Sequence, residues 1–270
     1  MKALQTYFKK RKSALNLLFK KKPLSYTVET FHELRVEIKK IKALFELMVF
    51  CSKKLEQKET FKPFKMIFRV AGEVRELQLE QIILEKEPTY YLLRKYHKRL
   101  ERLETKSVKK FFTIVNKHLI KKLKEKYPKI ITVLTKISSK KAHRYINKIR
   151  NKTRKLISKD AYKKNQIHEF RKRLKVYQYN DKIFDLDDQN KLIPDKTFLL
   201  NMLGEWHDYH VILIHLKRFI STEKTNPNEK KHLKSIKVAI TSKSKILHER
   251  INALLPISKL HNTEIQLNSD

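Results

Sequence analysis

Glycine occurs only twice in this 270-residue chain, at Gly72 and Gly204. Sheet proteins turn tightly and often, and glycine is the usual residue at the positive-φ positions those turns require. A chain this poor in glycine is expected to be all-α, with long helices joined by few loops. Apolar residues make up 40% of it, which supplies a packed core and excludes a solvated tail. Hydrophobic spacing agrees. Phe31, Leu34, Ile38, Ile41 and Phe45 recur along one helical face, behind Pro23 and the candidate caps Ser25 and Thr27.

The same reading places an acid-free helix over residues 1–22. Further helices are expected over 62–86, stopping at Pro88, and over 89–126, ending before Pro128. Residues 129–138 read as a connector with some helix of their own. Helices then follow over 140–159, 167–184 and 196–220, and from Glu229 to Leu255, stopping near Pro256 ahead of a frayed tail.

Charge narrows the partner. Lys and Arg total 64 against 28 Asp and Glu, a formal net charge of +36. A compact domain with that excess repels itself, so it is built to meet a concentrated anion: nucleic acid, an anionic membrane surface or inorganic polyphosphate. The single cysteine, Cys51, lies in the apolar run LMVFC and fits a buried residue in a reducing, cytoplasmic compartment. No apolar run is long enough to span a bilayer, and the N-terminus lacks the features of a secretory signal.

The basic residues are ordered. FHELRVEIKKIK, residues 31–42, places His32, Arg35, Lys39 and Lys42 at i, i+3, i+7 and i+10. On a helix these four occupy an arc of about 80° and about 15 Å of axis. The apolar stripe lies one position behind, so the basic stripe borders the core, where charges are less screened than on an outer face. Such an array opposes itself unless a multivalent anion lies against it. A second copy, IHEFRKRLKVYQY, residues 167–179, supplies His168, Arg171, Lys172 and Lys175, with Arg173 on a neighbouring face. Gln178 stands where Lys42 stood. Residues 140–175 hold 15 Lys or Arg, with only Asp160 and Glu169 as acids.

The glycines fall at matching points of the two halves. Gly72 in VAGEVRELQL lies 40 positions after His32, and Gly204 in MLGEWHDYHV lies 36 after His168. This pattern predicts an internal duplication, with the N-terminal helix matching 140–159. That match weakens a transit-peptide reading of the N-terminus. A glycine inside a helix costs about 1 kcal/mol relative to Ala, so each is expected to mark a close approach of another helix or a sharp turn.

FHELRVEIKKIKALFEL resembles the first signature of the CHAD family, the conserved histidine α-helical domain. IHEFRKRLKVYQY resembles its second His-x-x-Arg signature, and AGEVRE and LGEWHD are similar to its Leu-Gly segments. The ordered set spans about residues 3 to 255. The resemblance implies two four-helix bundles related by pseudo-twofold symmetry, with basic stripes lining a shared groove that binds inorganic polyphosphate. It implies a single domain over 1–260, made of repeats 1–127 and 139–257 around a connector 128–138, with a tail 258–270. By the same resemblance His32, Arg35, Lys39, Lys42, Arg75, His168, Arg171, Lys172 and Lys175 are the ligand-facing residues. The chain departs from the family where Lys39 and Lys42 replace arginine, losing fork geometry but keeping charge. Gln178 replaces another arginine, Glu76 replaces aspartate and His207 replaces asparagine. No Glu-x-Glu-x-Lys triplet of the often-fused triphosphate-tunnel domain occurs, so a stand-alone member is expected.

Two other function classes compete. A nucleic-acid binder would want exposed aromatic platforms, and Tyr90, Tyr91 and Tyr96 offer rings that also suit a core. A metal-dependent phosphohydrolase is suggested by HDYH at 207–210, with Glu73, Glu76 and Glu205 as further carboxylates. The preferred reading gives Glu76, His207 and Asp208 a supporting role, each carboxylate holding a stripe arginine. Trp206 is read as core. No catalytic residue, metal or cofactor is expected. The partner expected is polyphosphate, at polyphosphate granules in the cytoplasm, with non-specific nucleic-acid binding as the alternative. A membrane-surface role for the basic N-terminal helix is weaker, because that helix reads as bundle.

Overall fold

The computed structural model describes residues 2–52, 56–157, 162–184, 196–222 and 226–267. Among them all regular structure is helical. The described residues form ten α-helices: α1 (Lys2–Lys20), α2 (Val28–Cys51), α3 (Gln57–Leu84), α4 (Arg94–Ile114), α5 (Lys117–Lys124), α6 (Lys126–Thr135), α7 (Ser139–Ile157), α8 (Lys164–Phe184), α9 (Lys196–Thr222) and α10 (Pro227–Leu267). Short 3₁₀ turns at Pro23–Ser25 and Tyr90–Leu92 lead into α2 and α4.

Local chemistry explains the boundaries. Of the two cap candidates, Thr27 begins α2: its Oγ1 accepts from the Thr30 backbone N–H at 3.3 Å, with Glu29 in the first turn. The helix expected over 89–126 is three pieces. Asn116 interrupts it, because its side chain accepts from Leu119 N–H at 3.0 Å and starts α5. Pro128 does not end a helix; it sits in the first turn of α6, where the missing N–H had no helical partner to lose. Most of the expected connector is therefore helix. Residue 256 is likewise inside α10, which continues to Leu267 instead of ending in a frayed tail. Pro63 lies inside α3. A proline removes one hydrogen bond and crowds one carbonyl, which a long packed helix can absorb.

The chain divides into two compact units. The first gathers Met1–Gln78, Leu100–Lys148 and Gln178–Leu186; the second gathers Leu79–Arg99, Ile149–Tyr177 and Asp187–Asp270. In the first unit Phe31, Phe111, Phe112 and Tyr26 meet edge to face or tilted, with centroids 5.0 to 5.7 Å apart. Phe31, Leu34, Ile38, Ile41 and Phe45, the apolar stripe of α2, are all buried. Cys51 is buried as well, and burial pushes its thiol pKa up, against a smaller opposing effect of Lys141. The second unit packs α8, α9 and α10 around Phe170, Leu174, Leu203, Trp206 and Ile251. It also holds a buried polar group: the Tyr96 hydroxyl donates to Glu80, and His215 Nδ1 lies 2.6 Å from the other Glu80 oxygen. Among the described residues no helix is long and apolar enough to cross a membrane.

Candidate functional site

The α2 stripe emerges from this packing. Because the apolar face is fixed one residue behind it, His32 and Lys42 are exposed while Arg35 and Lys39 are half-buried at the edge of the core. Both of the latter lean on Phe68 of α3. The Arg35 guanidinium carbon lies 4.4 Å from the ring centroid and the Lys39 ammonium 5.9 Å. Arg35 Nη1 also donates to the Phe68 backbone carbonyl at 3.2 Å. Lys42 reaches Glu46 only loosely, at 3.9 Å on an exposed surface.

One turn beyond Phe68 is Gly72, one of the two glycines. It marks a close approach, as its place in the pattern predicts, but what approaches is the Arg35 side chain. A Cβ at Gly72 would lie 1.9 Å from Arg35 Nη1. Arg75, three residues further along α3, has a buried Nη1 with no hydrogen-bond partner among the described residues. Glu37, also on α2 but facing away from the stripe, is buried and already engaged by Arg11 at 2.9 Å and Lys40 at 2.7 Å. Glu73 pairs with Lys110 at 2.6 Å. Glu76 is exposed and makes no ion pair among the described residues, so it does not hold a stripe arginine as the sequence suggested. It lies about 100° around the helix from Arg75.

In the second unit the α8 stripe places His168, Arg171 and Lys175 half-buried and Lys172 exposed. The His168 ring faces His207 of α9, with centroids 4.9 Å apart and planes tilted by 37°. Burial holds the His168 pKa below the ordinary histidine value, with Lys172 and Arg171 adding to the depression, Glu169 opposing it and His210 contributing slightly. Arg173 is drawn to Glu169 at 3.1 Å. Asp208 is half-buried beside His207. Trp206 is buried and stacks on His210 at 5.8 Å. Among the described residues no group of three or more His, Cys, Asp or Glu side chains is arranged to hold a metal ion. Of the tyrosines that could stack on bases, Tyr96 is buried, Tyr90 is half-buried against His97 and Tyr91 is 74% exposed.

Phe68 is the residue that pattern reading missed. It reads as one more apolar residue of α3, and the available signal was its i,i+4 spacing to Gly72, which puts both on one face.

Fold and stripes define an all-helical protein with two histidine-led basic arrays, one in each compact unit. The CHAD domain family model matches residues 13–217, and the chain belongs to that family. No curated protein matches the sequence. Among solved structures, PptA from Streptomyces chartreusis is similar in fold, with a TM-score of 0.65 at 8% identity over 98% of each chain.

Proposed function

We propose that this protein binds inorganic polyphosphate through the α2 and α8 stripes and does not hydrolyse it. The observation that carries this reading is the α2 stripe. Arg35 and Lys39 are held side by side on Phe68, within a turn or two of a buried Arg75 donor that has no protein partner among the described residues. Two successive cations at fixed spacing match a ligand whose charges repeat at fixed spacing. The family's association with polyphosphate points the same way. Glu37, the buried acid of the same helix, is occupied elsewhere.

In this reading each stripe engages polyphosphate phosphates. An internal duplication accounts for the pair, and it is supported by the order α1 to α4 and α7 to α10 on either side of the short α5 and α6, with Gly72 inside α3 and Gly204 inside α9. Recruitment to cytoplasmic polyphosphate granules is the role proposed. Titration with long-chain polyphosphate tests the reading. Arg35→Glu and Arg171→Glu should each weaken binding, and the double reversal should abolish it while helical circular dichroism persists. Binding that survives the double reversal overturns the proposal. Phosphate release in the presence of Mg²⁺ or Mn²⁺ would overturn its non-catalytic part. In competition at equal phosphate concentration, polyphosphate should displace RNA from the protein.

A further inference from the structure

We propose that Phe68 and Gly72 form a seat that pre-sets the Arg35 guanidinium for the anion, which makes them positioning residues of the α2 stripe; this rests on the polyphosphate reading above. Gly72 lies inside a 28-residue helix, buried, with no left-handed backbone angle to demand glycine. Helix propensity disfavours it there. What glycine leaves is room for this placement of the side chain, because an added Cβ would fall 1.9 Å from Arg35 Nη1 and 3.1 Å from its Cζ, so with any other residue the guanidinium must shift.

Phe68 fixes the same group twice. Its ring supports the guanidinium carbon at 4.4 Å and its carbonyl accepts from Nη1 at 3.2 Å, so the plane and the rotation of the fork are both set. Arg35 remains half-buried, not sealed. An arginine without this seat must lose rotamer freedom when the anion arrives, and a seated one has lost it on folding. Gly204 supplies an internal comparison. It too is inside a helix, yet nothing among the described residues lies within 4 Å of where its Cβ would be. Among the described residues Gly204 therefore makes no room of this kind for a side chain.

The test is a double-mutant cycle on affinity for polyphosphate of one defined length, with thermal unfolding measured alongside. Gly72→Ala should weaken binding about three- to tenfold, the scale of immobilising one rotamer-rich side chain, while the melting temperature holds or rises. Phe68→Leu should weaken binding similarly. In an Arg35→Ala background, neither substitution should have any further effect. Gly204→Ala should leave affinity unchanged. If Arg35→Ala weakens binding but Gly72→Ala and Phe68→Leu do not, the seat is overturned and the stripe stands. If either weakens binding equally without Arg35, it acts by another route and the seat is again overturned. If Arg35→Ala has no effect, the polyphosphate reading of this stripe is what fails. Should Gly72→Ala fail to fold, the Phe68→Leu cycle alone decides.

Discussion

His168 combines position and chemistry at the residue scale. Its pKa is depressed in the folded protein by burial, by Lys172 and Arg171 on α8 and, more weakly, by His210 on α9, with only Glu169 opposing. The His207 ring is 4.9 Å away. A histidine depressed in this way favours the neutral form in the native state, so the unfolded chain takes up its proton first as pH falls. Stability is therefore complete above the ordinary histidine pKa and declines as pH drops through it toward the lower folded value. A bound polyanion reverses the balance by favouring the charged ring. Affinity for polyphosphate should rise as pH is lowered from 7.5 to 5.5, and the acid-side loss of melting temperature should shrink when ligand is present. Substituting His168→Gln should flatten both trends. Affinity profiles that coincide for wild type and variant would show that His168 does not titrate at the site.

The elements differ in how far pattern alone defined them. The apolar period located α2 and its buried face because that face repeats five times with nothing to interrupt it. The break between α4 and α5 was invisible to the same method, since amphipathic spacing continues across it and only the Asn116 side chain decides. Replacing Asn116 by Ala should cost about 1 kcal/mol of stability, measured by urea unfolding. Pro128 misled in the opposite direction, because a rule about breaking helices ignores that a proline in the first turn has no helical N–H partner to lose. The site was legible to the same extent. Spacing predicted that the whole basic stripe borders the core; Arg35, Lys39, Arg171 and Lys175 are half-buried there, while His32, Lys42 and Lys172 are exposed. It could not say that Gly72 makes room for an arginine, because a sequence period reports which face is covered and not which atom covers it. The polar group of the second unit was hidden for a related reason: Glu80, Tyr96 and His215 are far apart in the chain. Tyr96→Phe would leave the buried Glu80 short of a donor and should destabilise the protein by about 1 to 3 kcal/mol. An equilibrium unfolding curve matching wild type would mean His215 alone satisfies the carboxylate.

For the whole molecule, the net charge of +36 acts on folding and on binding with opposite signs. Without ligand the excess positive charge repels itself across the fold, and added salt screens that repulsion. The melting temperature of the free protein should therefore rise with NaCl. Binding draws on the same charge differently. Each phosphate contacted releases condensed counterions, so the logarithm of affinity should fall linearly with the logarithm of salt, at a slope set by the number of contacts. Reversing Arg35 should reduce that slope by about one contact or more, and lengthening the polyphosphate should steepen it until the contacts a stripe offers are filled. Ligand binding also stabilises the fold by mass action. At low salt the bound protein should melt well above the free one, and the gap should close as salt rises, because one curve climbs while the other loses its ligand. A free-protein melting temperature that falls with salt would show that acids such as Glu37, Glu73 and Glu80 already neutralise the charge where it matters. The excess would then be solvated surface, and no polyanion would be needed to account for it.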